Sequence, residues 1–250
     1  MHCIEVNNKN YFVKKDDNND KHELIVERLA NLVGIRCAHY YYREINGVGY
    51  YLSEDLSSNG IFLTADNLGL SRQTYSLYSI WSFFERKYPN ECQKLMNEFI
   101  KIYLFNFFVL NSDLHSGNWG VLKDKNGNNS LYIIDNELSF NTEYGIYITS
   151  DIFERKDEEE YDNYGFSLIE NLKELDKFIK VSDKNSISVL LELFERLTPE
   201  NFNLILEFIN QLYGLTGEQM DELIKLYQRN YDGIFRLLKS HNLVDDMVLK

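Results

Sequence analysis

Residues 111–120 read NSDLHSGNWG, a polar cluster that ends one of the most apolar stretches of the chain, IYLFNFFVL at 102–110. A second pattern follows at once. WGVLK (119–123), a turn over DKNGNN (124–129) and LYIID (131–135) read as the two arms and the tip of a β-hairpin. A helix apolar enough to be buried, a loop carrying Asp113, His115 and Asn118, and a hairpin that returns Asp135 form an ordered series. Such a series either closes a surface turn or builds a catalytic loop, and the rest of the chain decides between them.

Composition narrows the choice. The 250 residues suit one large domain or two modest lobes, and 44% hydrophobic content with 18 Tyr and 16 Phe describes a folded chain with a sizeable core. A net charge of −13 repels phosphate backbones, so nucleic-acid binding over a broad face is excluded, whereas a local basic pocket for a nucleotide is not. Cys3, Cys37 and Cys92 form no CxxC pair and read as reduced thiols of a cytoplasmic protein. The first residues have no apolar leader core, and no apolar run approaches the roughly 20 residues of a membrane span.

The first third reads as strands around one helix. CIEV (3–6) and YFVKK (11–15) are strands joined by the turn NNKN, and residues 20–34 form a helix with Asp20 as N-cap, Glu23 in the first turn and Gly34 at the stop. CAHYYYRE (37–44) and VGYYLS (48–53) flank Asn46-Gly47, the pair that a type I′ hairpin turn demands. The β-rich part ends near Leu56, giving an N-lobe over 1–56 and a C-lobe over 57–250. Three- and four-residue apolar spacing predicts helices over 74–88 and 91–110, and later ones near 184–196, 199–213 and 217–228. Thr198-Pro199 opens the second of the late helices, and Thr216 with Gln219 makes a capping box for the third.

Phosphoryl transfer from ATP needs a group to orient the attacking hydroxyl, oxygen ligands for Mg²⁺, and a cation on the phosphates. In protein kinases the catalytic Asp stands five residues before a metal-binding Asn, and a second metal-binding Asp follows a hairpin later. Asp113 precedes Asn118 by five, and Asp135 ends the hairpin. His115 either pins the loop through backbone or Asp135, or takes part in proton transfer. Upstream, the same chemistry calls for a strand lysine held by a helix glutamate. Lys14 is the choice and Lys15 its competitor, because neighbouring strand residues face opposite sides. Glu23 is the partner on the helix, with capping alongside Asp20 as its other reading.

These residues resemble the HipA-like kinases, toxin-type Ser/Thr kinases of the protein-kinase-like superfamily. That family's catalytic loop reads Asn-x-Asp-Arg-His-x-x-Asn, matched here by Asn111, Asp113, His115 and Asn118, with Leu114 in place of the Arg. YFVK looks like its lysine strand, Glu23 stands six residues before Leu29-Ala30 as in its early helix, and YLSEDL looks like its hinge. The resemblance implies an α+β, two-lobed fold with a truncated N-lobe, ATP and Mg²⁺ as cofactors, and a protein hydroxyl as acceptor. It implies catalytic roles for Asp113 and His115, metal binding by Asn118 and Asp135, and phosphate contact by Lys14 held by Glu23. The backbone of Glu54 and Leu56 would take adenine. An antitoxin or a protein completing the N-lobe is the partner it implies.

Three departures qualify these expectations. DLHSGN and IIDNE also resemble aminoglycoside and choline phosphotransferases, although Asn111 stands where those enzymes carry His. None of the 13 residues before Lys14 is Gly, so no Gly-rich phosphate loop is read there. A trimmed lobe, a completing partner or a pseudokinase would each account for that. The acidic stretch 151–164 is either a solvated loop or a recruiter of a basic substrate.

Overall fold

The computed structural model describes residues 2–7, 9–16, 21–71, 76–111, 113–140, 175–180 and 182–245. Asp20 and the acidic stretch 151–164 lie outside these residues.

Two antiparallel sheets face a helical body. The first has the order β1-β2-β4-β3, from β1 (His2–Val6), β2 (Lys9–Lys15), β3 (Tyr40–Ile45) and β4 (Val48–Glu54). The second has the order β5-β6-β7, from β5 (Gly60–Thr64), β6 (Trp119–Asp124) and β7 (Asn129–Ile133). Asn46 and Gly47 close the β3–β4 hairpin at φ 53° and 75°, with Ile45 opposite Val48, as a type I′ turn requires. Strand β5 was not read from the sequence. Its exposed Ile61 and Leu63 carry no strong burial pattern, and only its pairing with β6 defines it.

Between β2 and β3 runs α1 (His22–Leu32), which begins after Lys21 rather than at Asp20. Lys21 is fully buried, with its ammonium on Asp16 and on the Tyr42 hydroxyl, each at 2.9 Å, so a charged staple closes the segment before the helix. Gly34 ends the helix at φ 72°. Its N–H bonds Asn31, and the Ile35 N–H bonds Ala30, the paired bonds of a Schellman stop.

The helical body contains α2 (Leu77–Lys87), α3 (Cys92–Val109), α4 (Lys184–Arg196), α5 (Pro199–Tyr213) and α6 (Gly217–Ser240). The capping box at Thr216 and Gln219 and the Thr198 cap form as read. Helix α6 runs twelve residues past the expected end at 228. Asn230 and Gly233 dilute its apolar period in sequence, but the stripe Tyr231, Ile234, Phe235 and Leu238 stays buried. Phe202 stacks on Tyr227 at 4.0 Å and Phe194 on Tyr231 at 4.4 Å, fixing the three late helices to one another.

Helix α3 is the axis of the core, with every residue from Ile102 to Val109 buried. A helix end so enclosed must find donors for its last carbonyls. Asn230 of α6 donates to the Phe108 carbonyl at 3.1 Å, and the Phe140 N–H to that of Val109 at 2.9 Å. Trp119 opens β6 packed on Phe99, ring centres 4.8 Å apart, and so ties the hairpin to α3.

Where β5 crosses β6 the backbones approach closely at Gly120. A Cβ there would meet the Leu63 carbonyl oxygen and lie 2.8 Å from Thr64 Cα. Gly120→Ala is therefore expected to destabilise the chain by about 1–3 kcal/mol, through strand displacement, in urea denaturation.

Candidate active site

A cavity of about 410 Å³ lies between the two sheets. Strand alternation sends Phe12 and Lys14 of β2 into it and leaves Lys15 on the exposed face, so Lys14 is the one of the two lysines that lines the cavity. Glu54 and Leu56 line it where β4 leaves the first sheet, and Asn118 and Asp135 line it from the loop after α3 and the end of the hairpin. Glu23 reaches it from α1. Six of the eight expected site residues thus share one space. Asp113 and His115 stand behind Asn118 and are tied to it through the loop.

That loop is braced at nearly every residue. Asn111, buried below Leu110 (φ 49°), accepts from the Asp113 N–H through Oδ1 at 2.9 Å, and its own carbonyl takes the Asn106 amide at 2.9 Å. Leu114, standing where the family carries Arg, is buried in the core and anchors the loop by apolar contact. Gly117 N–H donates to His115 Nδ1 at 2.9 Å, while Nε2 lies 3.6 Å from Asp113 Oδ1. His115 therefore pins the loop through backbone and stands beside Asp113, with no bond to Asp135. Asn118 Nδ2 donates to the Asp113 carbonyl at 2.9 Å and to its Oδ2 at 2.8 Å. Both amide hydrogens are committed to Asp113, and Asn118 Oδ1, the atom that ligates metals, accepts from no donor among the described residues.

The expected ion pair between Lys14 and Glu23 is not formed. Lys14 Nζ instead lies 3.0 Å from Asp135 Oδ1 and also bonds Glu137. Burial works to lower the Lys14 pKa, but the bonds from Glu137 and Asp135 outweigh it and hold it above the ordinary 10.5. Glu23, 2% exposed, accepts the Asn136 N–H through Oε2 at 2.9 Å and a bond from the Tyr40 hydroxyl. Tyr40 Oη in turn accepts the Asp135 N–H at 2.9 Å. Glu23 and Tyr40 together grip the backbone of residues 135–136, and hold Asp135 at a φ of 54°. One helical turn on, Glu27 accepts the Tyr40 N–H through Oε2 at 3.1 Å and bonds His39 through Oε1. Burial, and next the Asp135 charge, push the Glu23 pKa from 4.5 to about 8, so its carboxyl is neutral at pH 7.

Tyr40, Glu27 and Glu137 belong to the site's construction and were not singled out from the sequence. Tyr40 and Glu27 carry no local signal. Glu137 stood in IIDNE, and only its meeting with Lys14 gives it a place.

Where the hinge was expected, the amides of Glu54 and Asp55 are bonded to the His39 and Asn10 carbonyls. The Glu54 carbonyl and the Leu56 N–H take no part in these bonds. Asp135 and Asn118, the pair expected to hold a metal, offer the cavity a carboxylate and an amide oxygen, hard oxygen ligands that Mg²⁺ accepts alongside water and phosphate. The pair fits the ion.

Solved structures that share this fold include two kinases. One is the Helicobacter pylori proinflammatory kinase CtkA, at a TM-score of 0.68 over 96% of this chain and 94% of that one, with 14% identity. The other is HipA of the Shewanella oneidensis MR-1 toxin–antitoxin system, solved with HipB and operator DNA, at a TM-score of 0.59 and 13% identity. That match covers 95% of this chain and 61% of the HipA chain. No family profile and no curated protein sequence matches the chain. The fold is the α+β, HipA-like kinase fold that the resemblance implied, reached through topology at an identity too low to carry function.

The neutral Glu23 gives stability a definite pH dependence. Between 4.5 and about 8 the unfolded chain has lost this proton and the folded chain has kept it, so stability falls as pH rises through that window. Glu23→Gln, measured by urea denaturation without divalent cations, is expected to remove this part of the fall.

Proposed function

We propose that the chain is an ATP- and Mg²⁺-dependent phosphotransferase whose acceptor is a Ser or Thr hydroxyl of a protein. The observation that carries this reading is the convergence of Lys14, Asn118 and Asp135 on one cavity, with Asp113 held behind Asn118. In this reading the Lys14 ammonium takes the α- and β-phosphates once it leaves its carboxylates, and the Glu54 carbonyl and Leu56 N–H take the adenine edge. Asn118 and Asp135 would hold Mg²⁺, which supplies charge neutralisation on the phosphates. Asp113 orients the acceptor hydroxyl and receives its proton, and Asn118 fixes the rotamer that does so. His115 keeps the loop in shape, with its Nε2 beside Asp113. Positioned charges of this kind carry most of the catalysis in phosphoryl transfer.

The setting proposed is a reducing cytoplasm, in keeping with three free cysteines and with no helix among the described residues long and apolar enough to cross a membrane. HipA is found with HipB and operator DNA, and a HipB-like antitoxin or a protein that completes the N-lobe is the partner proposed here. The net charge of −13 favours a second acceptor class, a cationic small alcohol of the kind that aminoglycoside and choline phosphotransferases use.

Thermal shift with Mg-ATP and transfer of labelled phosphate, to a protein lysate or to cationic alcohols, test the reading. A ligand at a hundred times its dissociation constant adds about 2.7 kcal/mol, a readable shift. Asp113→Asn is expected to keep the shift and lose about 10²–10⁴-fold in turnover. Asp135→Asn keeps the fold, since Asn tolerates a left-handed backbone, and loses turnover. A wild-type chain with neither shift nor transfer is a pseudokinase.

A further inference from the structure

The geometry points to Glu137 as a ligand of the divalent cation, paired with Asp135 and shared in exchange with the Lys14 ammonium. This assignment rests on the reading of Asn118 and Asp135 as the metal-binding pair and extends it by a residue outside that pair. Lys14 Nζ contacts Asp135 Oδ1 and Glu137 Oε2 together, so a positive charge already occupies the space between these two carboxylates. Neither carboxylate is deeply enclosed: Asp135 is 43% and Glu137 34% exposed at the side chain, so a hydrated ion can reach both. The backbone that carries Asp135 is held independently of the lysine, by the grip of Glu23 and Tyr40 on the N–H groups of residues 135 and 136.

A second feature lines the same cavity as Lys14 and Asp135. Asn118 is 7% exposed, its amide hydrogens are committed to Asp113, and its oxygen meets no donor among the described residues while lining the cavity beside Asp135. An amide oxygen that is open to a cavity and bonded to no protein donor is free to take a cation or water on a cation. Two carboxylates and one amide oxygen form a stronger divalent site than the single carboxylate of the expected pair. A divalent ion outcompetes one ammonium for two carboxylates, and its arrival frees Lys14 for the phosphates. Lysine release and metal binding thereby become one event, and nucleotide brought without a divalent ion meets a lysine still engaged. Here the lysine's resting partners are the metal's ligands, and the helix glutamate is left to hold the backbone.

The test is Mn²⁺ titration of the full chain without nucleotide, followed by electron paramagnetic resonance, with thermal melts as a check on folding. Glu137→Gln is expected to weaken Mn²⁺ binding at least about tenfold, the lower end of what losing even a ligand's hydrogen-bonding partner costs at a metal site, and Glu137→Asp to recover most of it. Lys14→Met, which removes the competing ammonium, should tighten binding. If Glu137→Gln binds Mn²⁺ as well as wild type or better while Asp135→Asn loses it, Glu137 is only a tether for Lys14. The assignment then fails while the metal role of Asp135 stands. If wild type shows no saturable Mn²⁺ binding and no shift with Mg-ATP, both readings fall.

Discussion

The buried carboxyl of Glu23, accepting from the Asn136 N–H and the Tyr40 hydroxyl, is the contact on which the site depends. It joins α1, β3 and the end of the β6–β7 hairpin at one point. A non-glycine residue in the left-handed region costs roughly 1–2 kcal/mol, and Asp135 adopts it because its own N–H and its neighbour's are both claimed from outside the hairpin. Desolvation keeps the carboxyl neutral at pH 7, so the grip does not depend on a counter-charge. That explains why Lys14 is not its partner: the charge the lysine needs is on Asp135 and Glu137 instead.

A second constraint lies beneath the first. Helix α3 ends in the middle of the core, and its last carbonyls must be satisfied there. Asn230 and the Phe140 N–H do so, and the loop that follows is braced by Asn106, Asn111 and Leu114. The Phe140 bond also returns the segment after Asp135 to the helix that begins the loop. The loop after α3 and the end of the hairpin thus share one rigid base, which is what the proposed positioning chemistry needs from a fold.

The two sheets meet along the segment 36–38. Ala38 N–H bonds the Ile133 carbonyl and Ile133 N–H the Arg36 carbonyl, so the chain entering β3 runs beside the end of β7. This seam brings Tyr40 over Asp135; Glu23 reaches across it to the Asn136 N–H, and Glu27, one turn on, holds the first-sheet side at His39 and Tyr40. The cavity wall from the first sheet is therefore held by polar contacts as much as by the apolar core.

Much of the architecture was written in local pattern. Alternation and turn residues marked both hairpins, caps marked α5 and α6, and the five-residue interval from Asp113 to Asn118 with Asp135 beyond marked the loop. These features are decided by neighbours in sequence, through backbone geometry and side-chain periodicity. Strand β5, the last turns of α6, the roles of Tyr40 and Glu27, and the choice of partner for Lys14 were decided elsewhere. Each depends on which groups meet across the fold, and on how much water the meeting excludes. A glutamate one turn into a helix has the same sequence signature whether it stays charged against a lysine or turns neutral against a backbone amide. Burial made that choice for Glu23, and burial exists only once the chain is folded.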